Sequence, residues 1–357
     1  MSTGPIATKV GAPRFDIGSP TLPRSAFESR AALAIIALAL LAWLPFLNQA
    51  FTVDDTNFLA LAAHARPHLL GLYDSHINWL GEEQRAFDIL ANPPLVPWYL
   101  ALVSTVARGR EWVFHLSFWP FMILMLAGAY RLGRRFAPEQ GPLWTMVWTA
   151  VAPGLMVAAH NVMPDLPLLS CYVLGTALTI DAFDRDKVGL AIGGGFFAGL
   201  SALCRYSGMT VIPLLVLYAW LNRVRLHTAA LAIVAAAAPI TSWTVASYQI
   251  YGRVHWMAMA GFEYQRQTQA IRVGRMIYQL TRLGLVIGLA PLLALMFSRE
   301  PRKSLWVGAV VGVAGAPALG LWPHWHRVLP VKAGPWLALG LAGAVPKPTP
   351  FSSFAGL

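Results

Sequence analysis

The sequence predicts an all-α fold, a polytopic transmembrane bundle of about ten spans with a long extracytoplasmic loop after the first. Three observations predict it. Of 357 residues, 57% are hydrophobic and only 12% charged, where a soluble domain carries roughly a quarter charged residues. The apolar residues fall into runs of roughly 15–21 residues, close to the length a helix needs to cross a bilayer. Arginine and lysine gather in the short connections between those runs, as they do in cytoplasmic loops.

Each element follows in order. Residues 1–29 are rich in Pro, Gly, Ser and Thr and carry Lys9, Arg14 and Arg24, so they read as a disordered cytoplasmic tail. The run "AALAIIALALLAWLPFL" opens a membrane domain extending over 30–345 and reads as a signal anchor. Further spans are expected near 112–132, 142–160, 165–182, 189–204, 206–221, 228–248, 277–297, 303–321 and 333–345. Residues 346–357 form a short tail.

The connections "RLGRRFAPEQG", "DAFDRDK", "LNRVR" and "SREPRK" are all basic and belong on the cytoplasmic side. That holds only if "NPPLVPWYLALVSTVA" (92–107) lies at the interface rather than crossing. The outer side then receives the loop 51–111, the junction "HNVMPDLP" (160–167), the segment 250–275 and the loop "WPHWHRVLP". A loop of about 60 residues is long for a connector, and such loops usually carry function.

Composition also excludes. The net charge of +11 comes from 27 Lys+Arg against 16 Asp+Glu. In a membrane chain this speaks for cytoplasmic loops and contact with anionic membrane lipid, and no nucleic-acid motif accompanies it. Cys171 and Cys204 lie in apolar runs without metal-ligand spacing. His64, His68 and His76 are scattered, and His324 and His326 flank Trp325; no metal site and no cofactor is read from them. "DRD" (184–186) has D-x-D spacing but sits in a short turn with no α/β domain. "GGG" (193–195) fits close helix packing.

Charge at membrane depth costs several kcal/mol unless paired or hydrated, so each such residue needs a reason. Asp54 and Asp55 open the outer loop in "FTVDDTNFLALAAH"; Asp165 begins a span in "MPDLPLL". Arg205 stands in "LCRYSGMTVIP" and Arg327 in "HWHRVLP". Acids and arginines on one side suit transfer of a sugar from a lipid-linked phosphate. A carboxylate takes the acceptor's proton, and arginines hold the phosphate as its glycosidic bond breaks. Asn92, Tyr206 and His160 are further, weaker candidates for substrate binding. Each residue also has a plain structural use: the acid pair and Asp165 as helix caps, Arg205 as a helix-end residue.

These residues resemble the C-type superfamily of membrane glycosyltransferases, nearest to the protein O-mannosyltransferase and lipid A aminoarabinose transferase group. "VDDTNFLALA", "NPPLVPWYLAL", "AYRLGRRF…VAPGLMVAAHNVMPDLPLL", "AGLSALCRYSGMTVIPLL" and "HRVLPVKAGPWLAL" look like its motifs, in the same order. The resemblance implies a polyprenyl-phosphate sugar donor, an extracytoplasmic acceptor (glycan, lipid or protein), inversion, no nucleotide, and a multi-pass protein of the cytoplasmic membrane. It implies that Asp54 is the general base or acceptor-orienting group, with Asp55 and Asp165 the other acids. Arg205 falls where the family usually has lysine, Asp55 where it has glutamate, and Val328 where an aromatic is usual. A transporter or flippase of an anionic or lipid-linked substrate, and a non-catalytic membrane scaffold, are the alternatives.

Overall fold

The computed structural model describes residues 26–266 apart from 79–80 and 139–140. The chain divides into two compact units, residues 1–262 and 263–357, and all but the end of the last described helix lies in the first. The spans expected at 277–297, 303–321 and 333–345, and Arg327, lie outside the described residues.

The first unit is built from helices. α1 (Ala26–Trp43) begins four residues inside the segment expected as tail, and a 3-10 turn, Leu44–Phe46, leads from it to α2 (Val53–Ala65). The first loop then holds a small antiparallel hairpin, β1 (His76–Asn78) with β2 (Glu83–Arg85), followed by the short α3 (Ala86–Ile89). Next comes α4 (Leu95–Ala107), whose 13 residues reach about 20 Å, short of the ~30 Å hydrocarbon core. α5 (Glu111–Ser117) and α6 (Trp119–Phe136) together make one long apolar helix, Glu111–Phe136.

The single span expected at 142–160 is two helices, α7 (Pro142–Ala150) and α8 (Pro153–His160), bent by 60°. The cause is local: Pro153 pushes Ala152 into extended backbone, ψ 121°, because proline disfavours helical geometry in the residue before it. α9 (Asp165–Arg185), α10 (Val188–Cys204), a 3-10 turn (Tyr206–Thr210), α11 (Val211–Leu221), α12 (Leu226–Tyr251) and α13 (His255–Arg266) complete the order.

Four of the described helices are long and apolar enough to cross a membrane: Glu28–Phe46, Glu111–Phe136, Asp165–Arg185 and Leu226–Tyr251. The bent pair makes a fifth if counted as one span, and α10 and the 206–221 helix are shorter apolar helices. Large apolar side chains such as Leu38, Trp144, Trp220 and Val234 stay exposed around the bundle, a surface that suits lipid rather than water.

Glycines set the helix spacing. A Cβ at Gly194 would meet the Thr179 nitrogen at 2.8 Å, and one at Gly128 the Leu174 nitrogen at 2.7 Å. Gly195 and Gly199 face the backbone oxygens of Ala232 and Ala236 with no room for a methyl. The close packing expected of the "GGG" run therefore holds for Gly194 against α9 and Gly195 against α12, while Gly193 faces open space.

The two ends of the bundle differ. At the C-terminal end of α9, Asp181 pairs with Arg131 at 2.6 Å, Asp184 with Arg135 at 2.6 Å and Asp186 with Arg225. Three of the basic turns thus gather at one end, where acids of "DAFDRD" clasp arginines of the other two; "SREPRK" lies outside the described residues. The D-x-D pair is a set of interhelical ties, with Thr228 Oγ1 also donating to Asp186 at 2.8 Å. The start of α9 is ~30 Å away, and there the other candidates collect.

Candidate active site

The acid pair of "VDDTNF" divides into two different residues. Asp55 is fully buried. It is the third residue of α2, and its Oδ2 accepts from the Thr52 backbone N–H at 2.8 Å and from Thr52 Oγ1 at 2.9 Å. Its Oδ1 accepts from the Val162 N–H at 2.9 Å. Thr52 and Asp55 thus close the start of the helix as a capping box. A buried carboxylate is tolerated because these three donors replace water. Asp54 is half-buried and has no hydrogen-bond or ion-pair partner among the described residues. Asp55 thereby fixes the backbone from which Asp54 projects.

The approach to α2 is held by two histidines. His115 is buried, with Nε2 3.0 Å from the Gln49 carbonyl and its ring beside Phe51. His160 stacks on Phe46 at 3.9 Å with Trp43 edge-on, and its Nε2 is buried without a hydrogen-bond partner among the described residues. His160 was expected as a weaker substrate contact; in the structure it packs the turn after α1.

Three residues beyond Val162, Asp165 opens α9, and its Oδ1 accepts from Arg205 Nη1 at 2.7 Å. Two candidates 40 residues apart are therefore in contact. Arg205 reaches this place because α10 stops there. Its backbone is extended (φ −149°, ψ 146°), and the chain reverses at once into the 206–210 turn. Gly208 packs onto the Ser201 backbone with no room for a side chain, and Ser201 Oγ is 3.3 Å from the Gly208 oxygen. The side chains of the pair are 42% (Arg205) and 37% (Asp165) exposed. An ion pair this open contributes ~0–1 kcal/mol, so an anionic ligand can take over the guanidinium at little cost.

Next to Arg205, the Tyr206 hydroxyl accepts from Trp243 Nε1 at 3.1 Å and lies 2.5 Å from His255 Nδ1. Indole N–H only donates, so the phenol oxygen accepts from Trp243 and keeps both a lone pair and its own proton for the contact with Nδ1. His255 is fully buried, its ring 4.5 Å from Tyr73 and 4.8 Å from Phe87. Tyr73 in turn donates to the Asn92 carbonyl. Asn92 thus enters through its backbone, as an anchor of the first loop. Tyr251 Oη donates to the Leu70 carbonyl at 2.8 Å, and Arg253 pairs with Asp88. Tyr73 and His255 gave no signal in the sequence beyond their presence in outward segments.

Burial lowers the His255 imidazole from 6.5 to about 4; the Leu90 and Phe87 backbones and Asp88 act in the opposite sense, and Arg253 adds to the depression. The unfolded ring takes up its proton near 6.5 and the folded ring only about 4, so in between the unfolded state binds more protons. This contribution to stability is complete above 6.5 and is lost as pH falls towards 4. At pH 5 the expected loss is about 2 kcal/mol. It is measured as a lower unfolding midpoint of detergent-solubilised protein, and His255→Phe removes that part of the pH dependence.

No group of three or more His, Cys, Asp or Glu that can hold a metal occurs among the described residues. No curated protein compared with the chain matches it. A family model does, that of dolichyl-phosphate-mannose-protein mannosyltransferases, over residues 91–245. The match includes Asn92, His160, Asp165, Arg205 and Tyr206; it begins after Asp54 and Asp55 and ends before His255. The apolar helices and this match agree: the chain is an integral membrane protein that over residues 91–245 is similar to dolichyl-phosphate-mannose-protein mannosyltransferases.

Proposed function

We propose that the chain transfers a sugar from a polyprenyl-phosphate carrier to an acceptor hydroxyl, at the end of the bundle where α2 and α9 begin, facing the extracytoplasmic side. The observation that carries this reading is the half-exposed Asp165–Arg205 pair, tied through Val162 and Asp55 to the turn that presents Asp54 without a partner among the described residues.

The chemistry follows from charge. A sugar phosphodiester carries about one negative charge, and the departing phosphate monoester approaches two. Arg205, holding that phosphate, interacts more strongly with the leaving group than with the donor, which lowers the barrier. Asp54 accepts the proton of the acceptor hydroxyl as its oxygen bonds to the anomeric carbon. The carbon–oxygen bond to phosphate breaks with its electron pair on phosphate, so no protein acid is required, and a single displacement inverts the configuration. Asp165 orients Arg205, and Asp55 orients Asp54. The name of the matching family implies mannose and a protein acceptor; glycan and lipid acceptors fit the same chemistry.

The test uses membranes containing the protein and a polyprenyl-phosphate sugar with label in the carrier phosphate. Free polyprenyl phosphate appears in proportion to glycosylated product if the reading holds. Movement of intact carrier across the membrane without release identifies a transporter and refutes it.

A further inference from the structure

Beyond the segment that matches the family model, His255 is a fully buried histidine whose ring stands between the first loop and the residue following Arg205. Its Nδ1 takes the Tyr206 hydroxyl at 2.5 Å, its face lies on Tyr73 and Phe87 of the loop, and Trp243 from α12 closes the other side at 6.2 Å. Nε2 is buried and makes no hydrogen bond of normal geometry among the described residues. The backbone N–H of His255 is held by Ser247 Oγ at 3.4 Å, and the turn before it by the Arg253–Asp88 pair. An aliphatic side chain would fill this space more simply. A polar ring that spends its one good bond on Tyr206 has a directional use instead.

We infer that His255 is a positioning residue for Arg205, acting through Tyr206: its bond to the phenol fixes the 205–206 backbone, and with it the guanidinium that receives the carrier phosphate. The inference rests on the reading of Arg205 as the phosphate ligand. The relay runs from Trp243, which donates to Tyr206, to the Tyr206–His255 bond. Its far end is the aromatic floor of the first loop, so the order of that loop is transmitted to Arg205. Removing either partner of the Tyr206–His255 bond frees the same backbone, and the two losses are not additive.

The experiment measures binding of undecaprenyl phosphate in detergent micelles to purified full-length protein, together with its unfolding midpoint. His255→Phe keeps the aromatic packing and removes the bond; Tyr206→Phe keeps the ring and removes that bond together with the one from Trp243 Nε1. Each is expected to weaken binding about 3- to 10-fold, with the double variant no weaker than the worse single one. Arg205→Gln in the same assay separates the two ideas. If it leaves binding unchanged, the phosphate reading fails. If it weakens binding while His255→Phe and Tyr206→Phe bind as wild type, the positioning role alone is overturned, whatever their unfolding midpoints. Additive losses in the double variant overturn it as well.

Discussion

Asp54→Asn abolishes transfer while the protein still inserts, folds and binds carrier phosphate. Asparagine keeps the size of the side chain and cannot accept a proton, so the step that deprotonates the acceptor is lost. A general base contributes about 10²- to 10⁴-fold, and the fall in kcat is expected near 10³-fold, roughly 4 kcal/mol of barrier. Stability should change little, because no described residue depends on Asp54. Asp55→Asn behaves in the opposite way. Its carboxylate accepts from Thr52 and Val162 at once, and an amide nitrogen facing either donor leaves a buried group unsatisfied. The cost is about 1–3 kcal/mol of stability, with activity lost in proportion to the displacement of Asp54. Steady-state kinetics beside thermal unfolding of the two variants distinguishes the roles. Near-wild-type kcat in Asp54→Asn removes the assignment.

Arg205→Gln gives the second large effect. It removes the charge that meets the phosphate both before and after bond cleavage, so the donor KM rises and kcat falls together, with kcat/KM down about 10²- to 10³-fold. Arg205→Lys restores charge but not the planar fork and should recover part of the loss, the more so because lysine is usual there in the family the sequence resembles. Asp165→Asn is milder. The pair is exposed enough that its rupture costs under about 1 kcal/mol, and the guanidinium keeps its charge but loses its orientation. An Arg205→Gln variant with unchanged donor KM contradicts the phosphate assignment.

Much of this arrangement was legible in the residues, and for physical reasons. Membrane class follows from composition because lipid tolerates few charges. Asp165 and Arg205 stood out because a charge at a span end demands an explanation, and the structure pairs them. The adjacent aspartates could not be told apart in sequence, since both satisfy the preference for acids in a first helical turn. Only the approach of Val162 from 107 residues away gives Asp55 its separate task. The break at Pro153 was present as a proline in an apolar run, which is compatible with either a kink or a helix start. Likewise "DRD" reads as a solvated turn until Arg135 and Arg225, from distant parts of the chain, are seen to close on it. His255 was hidden for the same reason: its meaning lies in Tyr73, Phe87 and Tyr206, none of them near it in the chain.

The central claim is that carrier phosphate and acceptor meet where α2 and α9 begin. A polyprenyl phosphate bearing a photoreactive group on its first isoprene unit tests this most directly. Cross-linking in membranes, followed by peptide mapping, is predicted to label residues 160–168 and 203–209, with labelling suppressed by excess polyprenyl phosphate and reduced in Arg205→Gln. Label concentrated instead on the Arg131–Asp181 and Arg225–Asp186 end of the bundle would contradict the account.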